Sequence, residues 1–167
     1  MRIALLDTGG TINGILSPQQ APPAHSRVIA WLEQEVADSG LFLDAQVLCM
    51  KDSRALDDAD RQRLCEAVEA SPADVVLISH GTYTMPETGC YLQQRLSASA
   101  RARPIILLGA LHPLGAPGSD AEDVLRYVLS ILLGSPNGVS ITAGMRLWRP
   151  DSVVKDAETG RFVSRHG

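Results

Sequence analysis

Arg2 to Asn13, reading RIALLDTGGTIN, is the stretch that decides the expected fold of this chain. Residues 3–6 form a short apolar run typical of a buried strand, and the run ends shortly before Gly9 and Gly10. Two adjacent glycines let the backbone turn sharply at a strand end and let a ligand approach closely. Thr11 follows, so we expect its hydroxyl to face a crevice at the strand's carboxyl end, where open α/β sheets bind ligands. An ordinary tight turn is the alternative for Gly-Gly-Thr taken alone.

Composition points to one globular domain. The chain has 167 residues, of which 45% are hydrophobic, enough for a single domain with a full core. Its net charge of −4 and the lack of a basic block argue against binding to nucleic acid. No apolar run approaches the ~20 residues of a membrane span. Cys49, Cys65 and Cys90 are widely spaced, which favours buried free thiols, no metal site and a cytoplasmic location.

Apolar runs alternate with amphipathic stretches along the chain. Four further runs are expected to form strands: residues 44–50, 74–79, 104–109 and 139–142. Four stretches with helical spacing are expected to form helices: residues 26–40, 57–70, 86–97 and 120–132. Arg61 is expected on the outer face of its helix, and residues 156–167 form a polar tail. The alternation predicts an α/β fold, a doubly wound, flavodoxin-like, mostly parallel sheet in a single domain.

Hydroxyl side chains follow three of the predicted strands. They belong to Thr11, Ser53 and Thr82. Because the carboxyl ends of parallel strands meet at one edge of the sheet, these hydroxyls are expected to converge on one crevice.

A threonine that acts as a nucleophile needs help. Its alcohol is weak at neutral pH, so a base must take the proton and backbone amides must stabilise the oxyanion. The chain has two lysines, Lys51 and Lys155, and Lys155 ends a short predicted strand. A solvated surface charge is the alternative for Lys155. The backbone amides of residues 9–11 and 81–82 are candidates for the oxyanion site.

Several stretches resemble the bacterial-type L-asparaginase family. Residues 8–12, TGGTI, are similar to its first signature, and residues 80–88, HGTYTMPET, to its second, HGTDTMxET. Residues 109–113, GALHP, are similar to its GAMRP stretch. The resemblance runs from Arg2 to about Phe162. It implies an amino-terminal-type asparaginase domain over residues 1–167, without the family's smaller carboxyl-terminal domain.

The resemblance also implies an activity and its residues. Thr11 would be the nucleophile, with Thr82 and Lys155 as the proton relay, and Ser53 would hold the substrate's α-carboxylate near the Gly81 amide. The reaction would be hydrolysis of the side-chain amide of asparagine or a related small amide, without a metal or cofactor. Family sites are built at subunit contacts, which implies a homodimer or homotetramer.

Three departures from the family lie in the substrate site, where Gly10 leaves room for the ligand. Tyr83 replaces the aspartate that completes the relay and binds the substrate's α-ammonium, and a phenol cannot pair with an ammonium. Without that aspartate, burial is expected to lower the pKa of Lys155. Arg54 stands where many members have a glutamine, and residues 14–25 lack the tyrosine usual in the family's lid.

Three functions therefore stay open. The first is a hydrolase of the asparaginase type, including one whose substrate lacks an α-ammonium. The second is a small-molecule-binding protein on the same scaffold with impaired turnover. A flavodoxin-like mononucleotide binder also fits the fold, but the chain lacks a phosphate-binding loop.

Overall fold

The structure, a computed structural model, describes residues 1–165. Strands and helices alternate through most of this range, as the apolar runs predict. The strands are β1 (Arg2–Gly9), β2 (Phe42–Lys51), β3 (Val75–Ser79), β4 (Pro104–Leu108), β5 (Gly138–Thr142), β6 (Leu147–Trp148), β7 (Val153–Lys155) and β8 (Phe162–Ser164). The α-helices are α1 (Arg27–Val36), α2 (Asp58–Ala70), α3 (Met85–Arg95) and α4 (Ala121–Ile131).

Six strands form one sheet in the order β2-β1-β3-β4-β5-β6. The first five strands are parallel, and β6 runs antiparallel to β5. The chain passes from β1 outward to β2 and then returns to β3 on the other side of β1. The direction of winding thus reverses between β1 and β3, which is the position where doubly wound sheets bind ligands. The predicted doubly wound, mostly parallel sheet is confirmed.

Two helical layers bury both faces of the sheet. Leu64 of α2 and Leu92 of α3 pack in one hydrophobic cluster, and Leu32 of α1 and Leu125 of α4 pack in the other. Residues of β3 alternate between the two clusters, which explains its continuous apolar sequence. Burial of each such side chain contributes about 1.5–3 kcal/mol, so the strand ends are held at fixed positions.

Two helical predictions need correction. The helix expected to reach Gly40 ends at Val36, and residues 37–40 form a turn that closes with Gly40 at φ 73°. The prediction that Arg61 faces solvent is wrong, because its side chain is only 14% exposed. Its Nε donates to the Thr88 hydroxyl over 3.2 Å, so the long side chain folds back over α3.

The tail also has more structure than its polarity suggests. β8 pairs antiparallel with β7, with Lys155 opposite Phe162. Phe162 packs against the sheet's core, which holds the hairpin on the body of the protein. The last two residues of the predicted tail, 166 and 167, lie outside the described residues.

The prediction of buried free thiols is confirmed in part. The three cysteines are free, but only Cys65 is buried, while Cys49 and Cys90 are half-buried. Within residues 1–165, none of the helices combines the length and the apolarity that a membrane crossing requires.

Candidate active site

Two glycines meet where the winding of the sheet reverses. Gly10 follows β1 at φ 81°, and a Cβ placed on it would lie 2.4 Å from the backbone nitrogen of Gly81. The loops after β1 and β3 are therefore in backbone contact, which only glycine permits at this position. Thr11 and Thr82, the next residues in each loop, lie as a result at the same edge of the sheet.

The turn before Thr11 uses its own amides. The Gly9 amide donates to the Asp7 carboxylate over 2.9 Å, and the Gly10 amide donates to the carbonyl of Lys51 over 2.9 Å. The prediction that these two amides stabilise an oxyanion is therefore wrong, because both already have protein acceptors. The amides of Thr11 and of residues 81–82 remain as candidates.

Asp7 and Asn13 anchor this turn from below. Both are fully buried, and the Asn13 amide donates to Asp7 over 3.0 Å while the Ser79 hydroxyl donates to the same carboxylate. The Asn13 side-chain oxygen accepts from the first amide of α1, that of Arg27, over 2.9 Å. Burial raises the pKa of Asp7. This network ties the turn that carries Thr11 to β3 and to α1.

Thr82 and Lys155 form the closest contact between predicted catalytic side chains. Lys155 Nζ donates to Thr82 Oγ1 over 2.8 Å, across 73 positions of sequence. Burial and then the charge of Arg54 lower the pKa of Lys155, in the direction expected from the sequence. Lys51, the other lysine, instead pairs with Asp60 over 2.7 Å.

Arg54, Tyr83 and Lys155 meet at one aromatic ring. The guanidinium carbon of Arg54 lies 4.0 Å from the centre of the Tyr83 ring, and Lys155 Nζ lies 3.7 Å from it. Both distances suit cation–π attraction. Arg54 also binds Asp52 through two side-chain hydrogen bonds of 2.9 and 2.8 Å, which lower the pKa of that carboxyl.

Ser53 lies beneath this group. Its side chain is 1% exposed, and its hydroxyl oxygen accepts from the Thr84 amide over 3.3 Å. A Cβ on Gly81 would lie 2.7 Å from that oxygen, so Ser53 and Gly81 are in direct contact. The exits of β2 and β3 are therefore joined, as predicted.

His80 supports the loop from inside the protein. Burial lowers its pKa to about 4, so the ring is neutral near pH 7. Its Nδ1 lies 2.7 Å from the Gly81 carbonyl, which can only accept, so Nδ1 carries the proton. Nε2 then accepts a hydrogen bond from the Thr88 hydroxyl, whose oxygen lies 2.9 Å away. Sequence analysis assigned no role to His80 or Thr88, although a histidine at the end of an apolar strand was a visible signal.

A cavity of about 470 Å³ opens beside Thr82. Its walls include the aromatic side chains of Trp148 and Phe162 and the charged side chains of Asp120 and Arg146. The sequence does not predict this cavity, because residues 160–162, which form part of its wall, belong to the stretch predicted as a polar tail.

The structure thus brings most of the predicted site residues into pairwise contact. The contacts are Gly10 with Gly81, Ser53 with Gly81, Thr82 with Lys155, and Tyr83 with both Arg54 and Lys155. Thr11 adjoins this group only through its chain neighbour Gly10, and within residues 1–165 no hydrogen bond links its side chain to Thr82 or Lys155. Among residues 1–165, no three His, Cys, Asp or Glu side chains are grouped so that they could hold a metal ion.

A family model described as "Asparaginase, N-terminal" matches residues 2–162. A probable cytoplasmic L-asparaginase from Campylobacter jejuni superposes with a TM-score of 0.80 and 26% identity over 98% of this chain and 52% of that one. The thermostable L-asparaginase from Thermococcus kodakarensis superposes with a TM-score of 0.83 and 25% identity over 98% of this chain and 51% of that one.

L-asparaginase I from Vibrio cholerae shares the fold, with a TM-score of 0.82 and 24% identity over 98% of this chain and 51% of that one. The chain therefore spans about half the length of the solved structures that it matches. Since the family model covers nearly all of the chain, the protein belongs to the asparaginase family, through a domain of the amino-terminal type.

Proposed function

We propose that this protein hydrolyses the carboxamide of a small molecule, with Thr11 as the nucleophile and Thr82 and Lys155 as its proton relay. The observation that carries the proposal is the 2.8 Å hydrogen bond between Lys155 and Thr82. It lies at the edge of the sheet where the loops of Thr11 and Thr82 are in backbone contact.

The surroundings of Lys155 suit a proton acceptor. Among residues 1–165, none of the carboxylates lies within ion-pair distance of its Nζ, and burial lowers its pKa. A lysine with a lowered pKa has a larger neutral fraction near pH 8 and can accept a proton. The hydroxyl of Thr82 is the group from which it would accept it.

The proposed reaction has two halves. The oxygen of Thr11 attacks the carboxamide carbon while its proton passes to Thr82 and Lys155. The C–N bond then breaks, the proton leaves with ammonia, and an ester on Thr11 remains. Water, deprotonated by the same pair, hydrolyses the ester and restores the hydroxyl. Amides from Thr11 or residues 81–82 would stabilise the oxyanion in each half.

Thr11→Ala and Thr11→Ser test the nucleophile. Ammonia release from a panel of small carboxamides should be lost in the alanine variant and partly kept in the serine variant, which retains a hydroxyl. Circular dichroism should show both variants folded, since the Thr11 side chain is half-exposed. Turnover by folded Thr11→Ala would overturn the assignment of Thr11.

The second candidate is a binding protein with impaired turnover. The observation in its favour is Tyr83, whose ring contacts Lys155 at 3.7 Å where the family pattern places an aspartate. Binding of small carboxylates without ammonia release from any amide in the panel would favour this candidate. The homodimer or homotetramer and the cytoplasmic location expected from the sequence stay predictions, and light scattering of the purified protein tests the first.

A further inference from the structure

Arg54, Tyr83 and Lys155 form a group that we call the cationic clamp. Two positive charges lie within 4.0 Å of the centre of one half-exposed phenol ring. The ammonium of the clamp also contacts the Thr82 hydroxyl. A substrate that reaches the relay therefore meets the Arg54 guanidinium, and it also meets the Lys155 ammonium before that lysine loses its proton.

The carboxylates near the clamp already have partners. Asp52 is 4% exposed and is engaged by both Nε and Nη2 of Arg54. Asp7 is fully buried and accepts from the side chains of Ser79 and Asn13. Tyr83 contributes a phenol hydroxyl and not a carboxylate. Among residues 1–165, the clamp itself thus offers no carboxylate to an incoming ammonium group, and Asp120 and Asp123, which line the cavity beside Thr82, are not part of it.

Hydrogen-bond donors of Arg54 and Ser53, by contrast, outnumber the acceptors available to them among residues 1–165. Nη1 of Arg54 has no acceptor within the described part of the chain, since the hydrogen bonds of this side chain use Nε and Nη2. The Ser53 hydroxyl accepts from the Thr84 amide, and its own proton has no acceptor among residues 1–165. A buried hydroxyl with an unused proton, next to Arg54 in the chain and in contact with Gly81, can donate to a carboxylate.

We propose that the substrate is the monoamide of a small dicarboxylic acid without an α-ammonium group, its carboxylate bound by Ser53 and the cationic clamp. The inference rests on the proposed function and adds the substrate class. L-asparagine carries the same carboxylate and amide but also an ammonium. Beside the clamp that ammonium would lose water and meet like charges, and both effects weaken binding.

Succinamate tests the inference, because it is L-asparagine without the amino group. The wild-type kcat/KM for succinamate should exceed that for L-asparagine by about tenfold or more. Tyr83→Asp supplies the missing anion and should shift the ratio toward L-asparagine by about tenfold or more. Tyr83→Phe is the matched control: it keeps the aromatic ring beside both cations and should keep the wild-type ratio. A wild-type preference for L-asparagine, or equal shifts in both variants, would overturn the inference.

Product binding separates this inference from the proposed function. Calorimetry should show succinate binding more tightly than L-aspartate to wild type, and the order should reverse in Tyr83→Asp. If no amide is hydrolysed but succinate still binds more tightly, the proposed hydrolysis fails and the inferred specificity stands. If L-aspartate binds more tightly, or neither product binds at millimolar concentration, the inference is wrong whatever the rates are.

Discussion

Gly10 and Gly81 touch across the gap between β1 and β3, with room for a side chain on neither. A Cβ on Gly10 would lie 2.4 Å from the Gly81 nitrogen and 2.6 Å from its Cα, closer than any van der Waals contact allows. The contact is made entirely by backbone atoms. A side chain at Gly10 could therefore be accommodated only if the backbone of one of the two loops moved.

Gly10→Ala should therefore destabilise the protein and disrupt the site. Gly115→Ala is the matched control, because Gly115 also has a positive φ, 84°, but nothing lies within 4 Å of a Cβ placed there. The strained backbone alone should cost Gly115→Ala about 1–2 kcal/mol. The clash, together with the glycine-only backbone conformation of Gly10 (φ 81°, ψ 179°), should cost Gly10→Ala about 1–3 kcal/mol more. Urea unfolding of both variants measures the difference, and equal costs would contradict the close contact.

His80 should make the protein sensitive to acid. Its pKa is about 4 in the folded protein and ordinarily 6.5, so the unfolded chain binds its proton first as the pH falls. The contribution of His80 is complete above pH 6.5 and is lost as the pH falls through about 4, which amounts to roughly 3 kcal/mol.

His80→Gln removes this titration. Between pH 7 and pH 4, the variant should lose roughly 3 kcal/mol less of its free energy of unfolding than wild type loses. His25→Gln, at an exposed histidine, is the control and should follow wild type. The role of His80 would be contradicted by parallel curves for His80→Gln and wild type.

Local sequence was sufficient for the framework of this site. The apolar run of β3 ends at Ser79, where the pattern placed its end. Ser26, the first residue of the helix predicted over residues 26–40, caps α1 by accepting from the Ile29 amide over 3.0 Å. These features depend on neighbours within a few residues, so periodicity and capping rules capture them. The convergence of Ser53 with Gly81 followed from the rule for parallel strand exits.

Local sequence patterns do not predict which side chains from distant segments touch, although the family resemblance placed Arg54, Tyr83 and Lys155 in one site. Tyr83 meets Arg54 and Lys155, which lie 29 positions before it and 72 positions after it, and nothing local in the chain fixes that meeting. Lys155 reaches the site because Phe162 pairs with it in a hairpin of three-residue strands, too short for a clear pattern. Helical periodicity places Arg61 on the outer face of α2, but its side chain is long enough to reach the Thr88 hydroxyl.

Asp7→Asn should stabilise the protein progressively as the pH rises. Burial raises the pKa of Asp7 above its ordinary 3.8, so its contribution to stability is complete below pH 3.8 and is lost as the pH rises through the raised pKa. Asparagine keeps an oxygen for the Gly9 amide and the Ser79 hydroxyl without a buried charge. Its NH2 group replaces the oxygen that accepts from Asn13 Nδ2 over 3.2 Å, a cost that does not change with pH.

The measurement is urea unfolding from pH 4 to pH 8. The free energy of unfolding of Asp7→Asn, relative to wild type, should increase with pH and then level off. Asp44→Asn, at an exposed position of the edge strand β2, provides the comparison and should show no such trend. A gain for Asp7→Asn that is the same at every pH would mean that the buried charge is not the cause.

Lys155 should give the reaction its pH dependence. If the neutral amine accepts the proton, kcat/KM rises with pH through the pKa of Lys155, which burial and Arg54 lower from 10.5. Tyr83→Asp places a carboxylate where the Tyr83 ring now contacts the ammonium, so it should raise that pKa and move the rising limb to higher pH. Tyr83→Phe should leave the limb in place. Lys155→Arg should abolish turnover at every pH, because a guanidinium stays protonated.

The measurement is ammonia release from succinamate and L-asparagine between pH 6 and pH 10. A limb that does not move in Tyr83→Asp, or turnover by folded Lys155→Arg, would show that another group takes the proton from Thr82.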